Sequence, residues 1–103
     1  MSNLSVFMFE SQQVRFVGTE YKPEWVAADV CVCLELSDTS KALETLEPDE
    51  KGTKNVRTLG GEQEMLTVTE AGLYRLILKS RKPVAKRFQR WVFHEVLTSH
   101  WQV

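Results

Sequence analysis

From Arg75 to Arg90 the chain carries seven basic residues and no acidic one: Arg75, Lys79, Arg81, Lys82, Lys86, Arg87 and Arg90. Leu76, Ile77, Val84, Phe88 and Trp91 are interleaved with them at helical spacing. One segment therefore offers a core-facing apolar stripe and a concentrated positive surface, a pairing that suits a folded domain holding a polyanion. On a helix, Lys86 and Arg90 are one turn apart and lie largely opposite Phe88 and Val92, so both can face solvent. Arg side chains fork onto phosphate oxygens bidentately, and the free N–H groups where a helix opens at Ser80-Arg81-Lys82-Pro83 favour the same ligand. Arg81, Lys82, Lys86, Arg87 and Arg90 are the leading phosphate-binding candidates, with Lys79 and Arg75 beside them. The competing reading is a solvated face that pairs with acidic residues elsewhere in the fold.

Other chemistries find little footing. Cys31 and Cys33 are the only cysteines. Their spacing suits neither a disulfide nor, with His94 and His100, a common zinc site. Flanked by Val30, Val32 and Leu34, they read as small buried residues. Gly60-Gly61 lacks the lysine and helix of a phosphate loop and reads as a turn needing positive φ. Glu47, Asp49 and Glu50 read as a solvated acidic turn rather than a catalytic pair. No nucleophile with its base is evident, so neither an enzyme nor a cofactor is expected. Trp25, Trp91 and Trp101 could stack on single strands, but Trp91 falls on the apolar stripe beside Phe88; only Trp101 reads as exposed.

The elements that must position these residues belong to one domain, residues 1–103, long enough for one core. An apolar fraction of 43% and a charged fraction of 26% are those of a globular protein. No apolar run nears the roughly 20 residues that span a bilayer, and the first residues do not resemble a signal peptide, so a cytoplasmic setting is expected. The charge is split: residues 1–50 carry a net −7 and residues 51–103 a net +6, beneath an overall −1. Strands are expected at Val6 to Glu10 and Gln13 to Thr19. Helices are expected from Ala27 to Glu35 and from Thr39 to Leu46, the second ended by Pro48. Asp49 to Gly52 reads as a polar turn. A hairpin comes next at Val56 to Leu59 and Met65 to Val68. Thr69 caps a helix to Lys79, and a last helix runs from Pro83 to about Ser99 with Val84 or Ala85, Phe88, Trp91, Val92, Val96 and Leu97 inward. The order β-β-α-α-β-β-α-α, without a βαβ crossover, argues for an α+β fold of small antiparallel hairpins packed with about four helices. The two central helices have helix-turn-helix spacing. The second offers Lys41 against Glu44 and Glu47, which the phosphate backbone would repel, so this pair is expected to pack the sheet.

An ordered set of segments carries a family resemblance. Trp25-Val26-Ala27-Ala28-Asp29-Val30-Cys31 comes first, then Leu46 through Gly52, then Thr58-Leu59-Gly60-Gly61-Glu62-Gln63. Glu70 to Ile77 and Ser80 to Val92 complete it. Together with Val14-Arg15 in the second strand, they resemble the N-terminal domain of the BRO family. That module stands at the front of many phage and prophage antirepressors and of viral BRO proteins. The resemblance covers about Phe7 to Leu97 and implies a DNA-binding role in phage or prophage gene regulation, hence in the host cytoplasm. Duplex DNA is the expected partner ahead of single strands, with a repressor protein as a further partner, and a second copy of the chain is a further candidate because DNA-binding modules of this size often dimerise. After Leu34, where the family usually has a Gly-aromatic-Asn-like step, this chain has Glu35-Leu36-Ser37-Asp38. The alternative function is a protein-interaction module whose acidic half binds a basic regulatory partner.

Overall fold

The structure is a computed structural model that describes residues 4–19 and 21–97, the last two by backbone alone. It is α+β, as the sequence argues. Among the described residues, five strands form one antiparallel sheet in the order β1-β2-β3-β5-β4. They are β1 (Ser5–Phe9), β2 (Gln12–Phe16), β3 (Glu24–Val26), β4 (Lys51–Thr58) and β5 (Gly61–Thr69). The α-helices among the described residues are α1 (Ala27–Cys33), α2 (Thr39–Glu44), α3 (Glu70–Lys79) and α4 (Pro83–Trp91). A 3₁₀ turn at Pro48–Glu50 precedes β4, and a π-helical segment, Val92–Leu97, continues α4. The expectation for Ser99 falls outside the described residues.

The main difference from the sequence reading is β3. Its apolar tail looks like the approach to a helix, yet Glu24, Trp25 and Val26 are an inner strand, all buried. Trp25 pairs with Phe16 on one side and Val68 on the other, joining two separate hairpins into one sheet. A three-residue strand is too short to show a period in sequence, so only its two partners reveal it. The chain then turns at Val26 directly into α1. Because β3 ends so early, β2 would be left with an open donor, and Asp29 of α1 fills the gap. Its carboxylate accepts the Arg15 backbone N–H at 2.9 Å and the Arg15 guanidinium at 2.9 and 3.0 Å.

The β4–β5 hairpin is also longer than its apolar residues suggest. It runs from Lys51↔Val68 to Thr58↔Gly61 around Leu59-Gly60, and Gly61 carries the positive φ of 106°. The polar turn expected at Asp49 to Gly52 is instead the end of the 3₁₀ turn and the start of β4. Pro48 opens that turn rather than closing α2.

One face of the sheet carries the helices. Phe9, Val14, Phe16, Trp25 and Val68 meet Val30, Leu34, Leu73, Leu76, Ile77 and Phe88 in a single core. Phe88 stands edge-on to Phe9 at 5.1 Å, and Phe16 edge-on to Trp25 at 5.3 Å. A smaller cluster, Val17, Val26 and Val56 with Met65, lies apart from it. In β1, Phe7 and Phe9 turn toward the core, leaving Val6 and Met8 exposed on the opposite face. Cys31 and Cys33 are free and buried, as expected.

The caps of α3 match the sequence reading. Thr69 Oγ1 accepts the Gly72 N–H at 3.3 Å, and Ser80 ends the helix. Gly72 is there for clearance, since a Cβ would sit 2.2 Å from the Glu50 carbonyl oxygen. On α4, Val84, Ala85, Phe88 and Val92 are all buried. Trp91, expected on the same stripe, is only half-buried: it lies at the edge of the core against Phe7, Phe9 and Phe88.

Packing sets two stability expectations. Phe88→Ala should cost about 3–5 kcal/mol by denaturant unfolding, and Trp91→Ala less, because it leaves a partly open site; the reverse order would put Trp91 at the centre of the core. Gly72→Ala should destabilise, against the gain of about 1 kcal/mol that the same change brings in an unobstructed helix. A variant melting above the parent would show that α3 is not pressed against the 3₁₀ turn.

Candidate nucleic-acid interface

All seven candidate cations are exposed. They are carried by α3, α4 and the link between them, which the Thr69 cap, the buried leucines of α3 and Phe88 hold in place. Arg81, Lys82 and Lys86 line one cleft of about 480 Å³, together with Ser80 and Gln89 over a floor that includes Ile77 and Ala85. The cleft opens at the first turn of α4. There Pro83 brings no N–H and the N-cap residue, Lys82, makes no side-chain cap. The Lys82 N–H is taken by Ser80 Oγ and the Ala85 N–H by the Lys82 carbonyl, so the three cations, rather than free backbone donors, define the cleft.

The other candidates are distributed differently. Arg75 reaches away to the 3₁₀ turn and forks onto Glu50, with Nε and Nη2 each 2.7 Å from a carboxylate oxygen. Glu50 also accepts the Glu47 N–H at 2.9 Å. The guanidinium, and then that N–H, hold the Glu50 carboxyl below the usual carboxylate range, and Arg75 is raised in return. Far from being a solvated acid, Glu50 is 7% exposed. Arg87 forks onto Glu10 at 2.7 and 3.3 Å. Glu10 and Ser11 form the β1–β2 turn with φ of 46° and 71°, a left-handed conformation that costs L-residues about 1–2 kcal/mol each. The Arg87 contact lowers the Glu10 pKa and raises that of Arg87. Lys82 donates from Nζ to the Glu35 carbonyl, in the loop just past α1. Among the described residues, Arg81, Lys86 and Arg90 make no side-chain hydrogen bond or ion pair, and Lys79 only adds its field to Glu50.

Half of the acidic residues in the first fifty are engaged within the fold, while Glu35, Glu44, Glu47 and Asp49 are exposed without an ion pair among the described residues. Asp29 holds Arg15, Glu50 holds Arg75 and Glu10 holds Arg87. Glu24 accepts the Thr67 hydroxyl at 2.6 Å with Lys54 at 3.5 Å, and Asp38 caps α2 through the Lys41 N–H. The Asp38 cap is local, but sequence reasoning did not name the ion-pair partners because they are far apart in the chain, Glu10 and Arg87 most of all. It also missed a shallow concavity of about 810 Å³ between β1–β2 and the β4–β5 turn, lined by Val6, Arg15, Arg57, Leu59 and Met65. No spacing signal points to it.

Among the described residues no three His, Cys, Asp or Glu side chains gather as a metal site. Burial pushes both thiols up, Cys33 to about 12, so neither is a ready ligand. His94 is exposed, while His100 and Trp101 fall outside the described residues. No helix of the described residues is long and apolar enough to cross a membrane.

A family model described as "BRO family, N-terminal domain" matches residues 13–98. An uncharacterised protein of Haemophilus influenzae is 40% identical over 95 residues, covering 90% of this chain and 47% of that protein. Bro-N domain-containing proteins, so named, of Invertebrate iridescent viruses 3 and 6 are each 27% identical, covering 87% and 90% of this chain and 28% and 27% of their own lengths. The chain therefore spans about half of the bacterial relative and about a quarter of the viral ones. No solved structure matches the chain significantly.

The Glu50–Arg75 pair gives stability a pH signature. A carboxyl whose folded pKa is lowered contributes stability that is present above its unfolded pKa and lost as pH falls through the folded value. Glu50→Gln should melt below the parent at neutral pH, and the gap should close as pH is lowered through the carboxylate range. A gap that held constant down to strong acid would show that the pairing contributes nothing.

Proposed function

The chain belongs to the BRO family, matching its N-terminal domain, and from that premise we propose that it is a DNA-binding regulatory module of the phage or prophage antirepressor type. The observation that carries the reading is the meeting of Arg81, Lys82 and Lys86 at the open N-terminus of α4, with Arg90 one turn beyond Lys86. Arginine forks and lysine ammonium groups are the chemistry that seats a phosphate. Duplex DNA is favoured over single strands, because among the described residues no aromatic side chain lines the cleft to stack an unpaired base. Backbone contacts of this kind position a protein on DNA without reading its sequence. The module works by binding, with no catalytic step and no cofactor, in the cytoplasm of a bacterial host.

The alternative, an acidic surface that docks a basic regulatory partner, has less to draw on, since Glu10, Glu24, Asp29, Asp38 and Glu50 already have partners within the chain. A repressor as a further partner of the full-length protein stays within the proposal.

The test is fluorescence anisotropy with a short duplex, titrated with salt. Four phosphate contacts, from Arg81, Lys82, Lys86 and Arg90, give a slope of log K against log salt of about −3.6. Lys86→Glu with Arg90→Glu should abolish binding and leave the circular dichroism unchanged, whereas Lys41→Glu should have little effect. Glu10→Ala releases Arg87 and should steepen the slope by about 0.9 if that arginine then reaches phosphate. No binding at low salt, or binding indifferent to salt, would refute the reading.

A further inference from the structure

We propose that the outer edge of β1 pairs antiparallel with β1 of a second copy of this chain, so that two five-stranded sheets become one across a two-fold axis. The sheet has two edges, β1 and β4, and they are built differently. β4 carries Lys51, Lys54 and Arg57 and starts against the 3₁₀ turn. Charges and covering elements of this kind are how natural sheets guard an edge against further strands. β1 reads Ser5-Val6-Phe7-Met8-Phe9, with no charge, no proline and no glycine. Its register with β2 is unbroken over all five residues, so no bulge twists it away.

The backbone of that edge is available. Phe9 and Gln12 flank a two-residue turn, which makes them a hydrogen-bonded pair. Alternation then ties Phe7 and Ser5 to β2 and turns the N–H and C=O of Val6 and Met8 outward. Among the described residues, no loop or neighbouring element bonds to either. The side chains are unfinished on both faces. Val6 and Met8 are 51% and 58% exposed on one face. On the other, Phe7 is half-buried and meets the edge of Trp91, itself half-buried, at 6.3 Å.

The occupant that fits is another β1. An antiparallel pair with all five residues overlapped sets Phe7 opposite Phe7 and Val6 opposite Met8 of the other copy. Aromatic then meets aromatic on the helix side, and aliphatic meets aliphatic on the outer side. Such self-complementarity is what a two-fold interface requires. No like charges oppose each other, because the nearest charge, Glu10, falls opposite Leu4 of the other copy in this register. Since directly opposite residues of an antiparallel pair point to one face, both α4 helices lie on the same side of the joined sheet. The proposal does not depend on what α4 binds.

Sedimentation equilibrium of the chain across a concentration series tests it, with Met8→Pro and Val6→Lys as variants. Proline at an outward-facing edge position removes a donor that β2 does not use, leaving the internal ladder intact. Lysine at Val6 sets one charge on each copy at the join. The expected result is a parent of twice the chain mass that dissociates on dilution, and loss of the dimer in both variants, with circular dichroism unchanged. If proline disturbs the fold, the lysine variant decides the question alone. A parent that stays monomeric at its highest soluble concentration, or a folded lysine variant that stays dimeric, would overturn the proposal.

Discussion

Glu24, Trp25 and Val26 hold the two halves of the chain together. Without β3 the molecule would be two isolated hairpins, and a two-stranded hairpin is marginal in water. Trp25 is fully buried, paired in both directions, and set edge-on to Phe16. Its indole N–H finds no partner among the described residues, a loss on the order of 1–3 kcal/mol, which the burial of so large an aromatic surface offsets. On the strand's other face, Glu24 is bonded to the Thr67 hydroxyl, and Val26 joins the small cluster with Val17 and Val56. The strand's brevity also shapes the helix that succeeds it. The chain turns into α1 within one residue, and Asp29 supplies to β2 the acceptor that a longer strand would have given. The start of α1 is thereby tied to β2, and its Val30 and Leu34 join the core that also holds the buried residues of α3 and α4.

Charge is organised by the same logic of distant partners. The chain's two halves carry opposite net charge, and folding brings part of each against the other. Arg15, Arg75 and Arg87 are joined to Asp29, Glu50 and Glu10, three pairings that fasten α1, the 3₁₀ turn and the β1–β2 turn to neighbouring elements. Their worth differs with burial. Asp29 and Glu50 are enclosed, so these two pairs are hard to replace with water, whereas Arg87–Glu10 is open on both sides and adds little to stability. Yet that open pair sits where two residues accept left-handed backbone. That backbone is what a two-residue hairpin turn requires, so the exposed bond has its chief effect on the availability of Arg87. The positive surface left over is smaller than the sequence suggests and better focused, around the α3–α4 cleft.

The core of α4 and the surface of α4 are separable. Phe88 and Val92 fix the helix to β1 and α3, while Lys86, on the rim of the α3–α4 cleft, and Arg90 are exposed. A helix so divided can change its charges without losing its seat, which makes the surface a property independent of the fold. The same division governs β1, whose Phe7 and Phe9 serve the core while Val6 and Met8 do not.

The sequence by itself determined whatever depends on near neighbours. The α3 cap at Thr69, the Gly60-Gly61 turn region, the buried cysteines, the α4 stripe through Phe88 and the α+β class are all readable within a turn or a hairpin, because helix period and turn chemistry are local. The family was legible too, since its segments recur in order along the chain. Only the tertiary structure decided the rest, for one physical reason: those features are made by residues far apart in sequence. Glu24 to Val26 is a strand because Phe16 and Val68 flank it, and too short to show a period of its own. Glu50 is buried because Arg75 reaches back to it, and Gly72 is obligatory because the Glu50 carbonyl lies against it. The candidate site shows the same split. Local spacing showed that seven cations lie on one surface-facing stretch, but it could not show that Arg75 and Arg87 hold acids from the other half. Nor could it show that Arg81, Lys82 and Lys86 come together at one cleft.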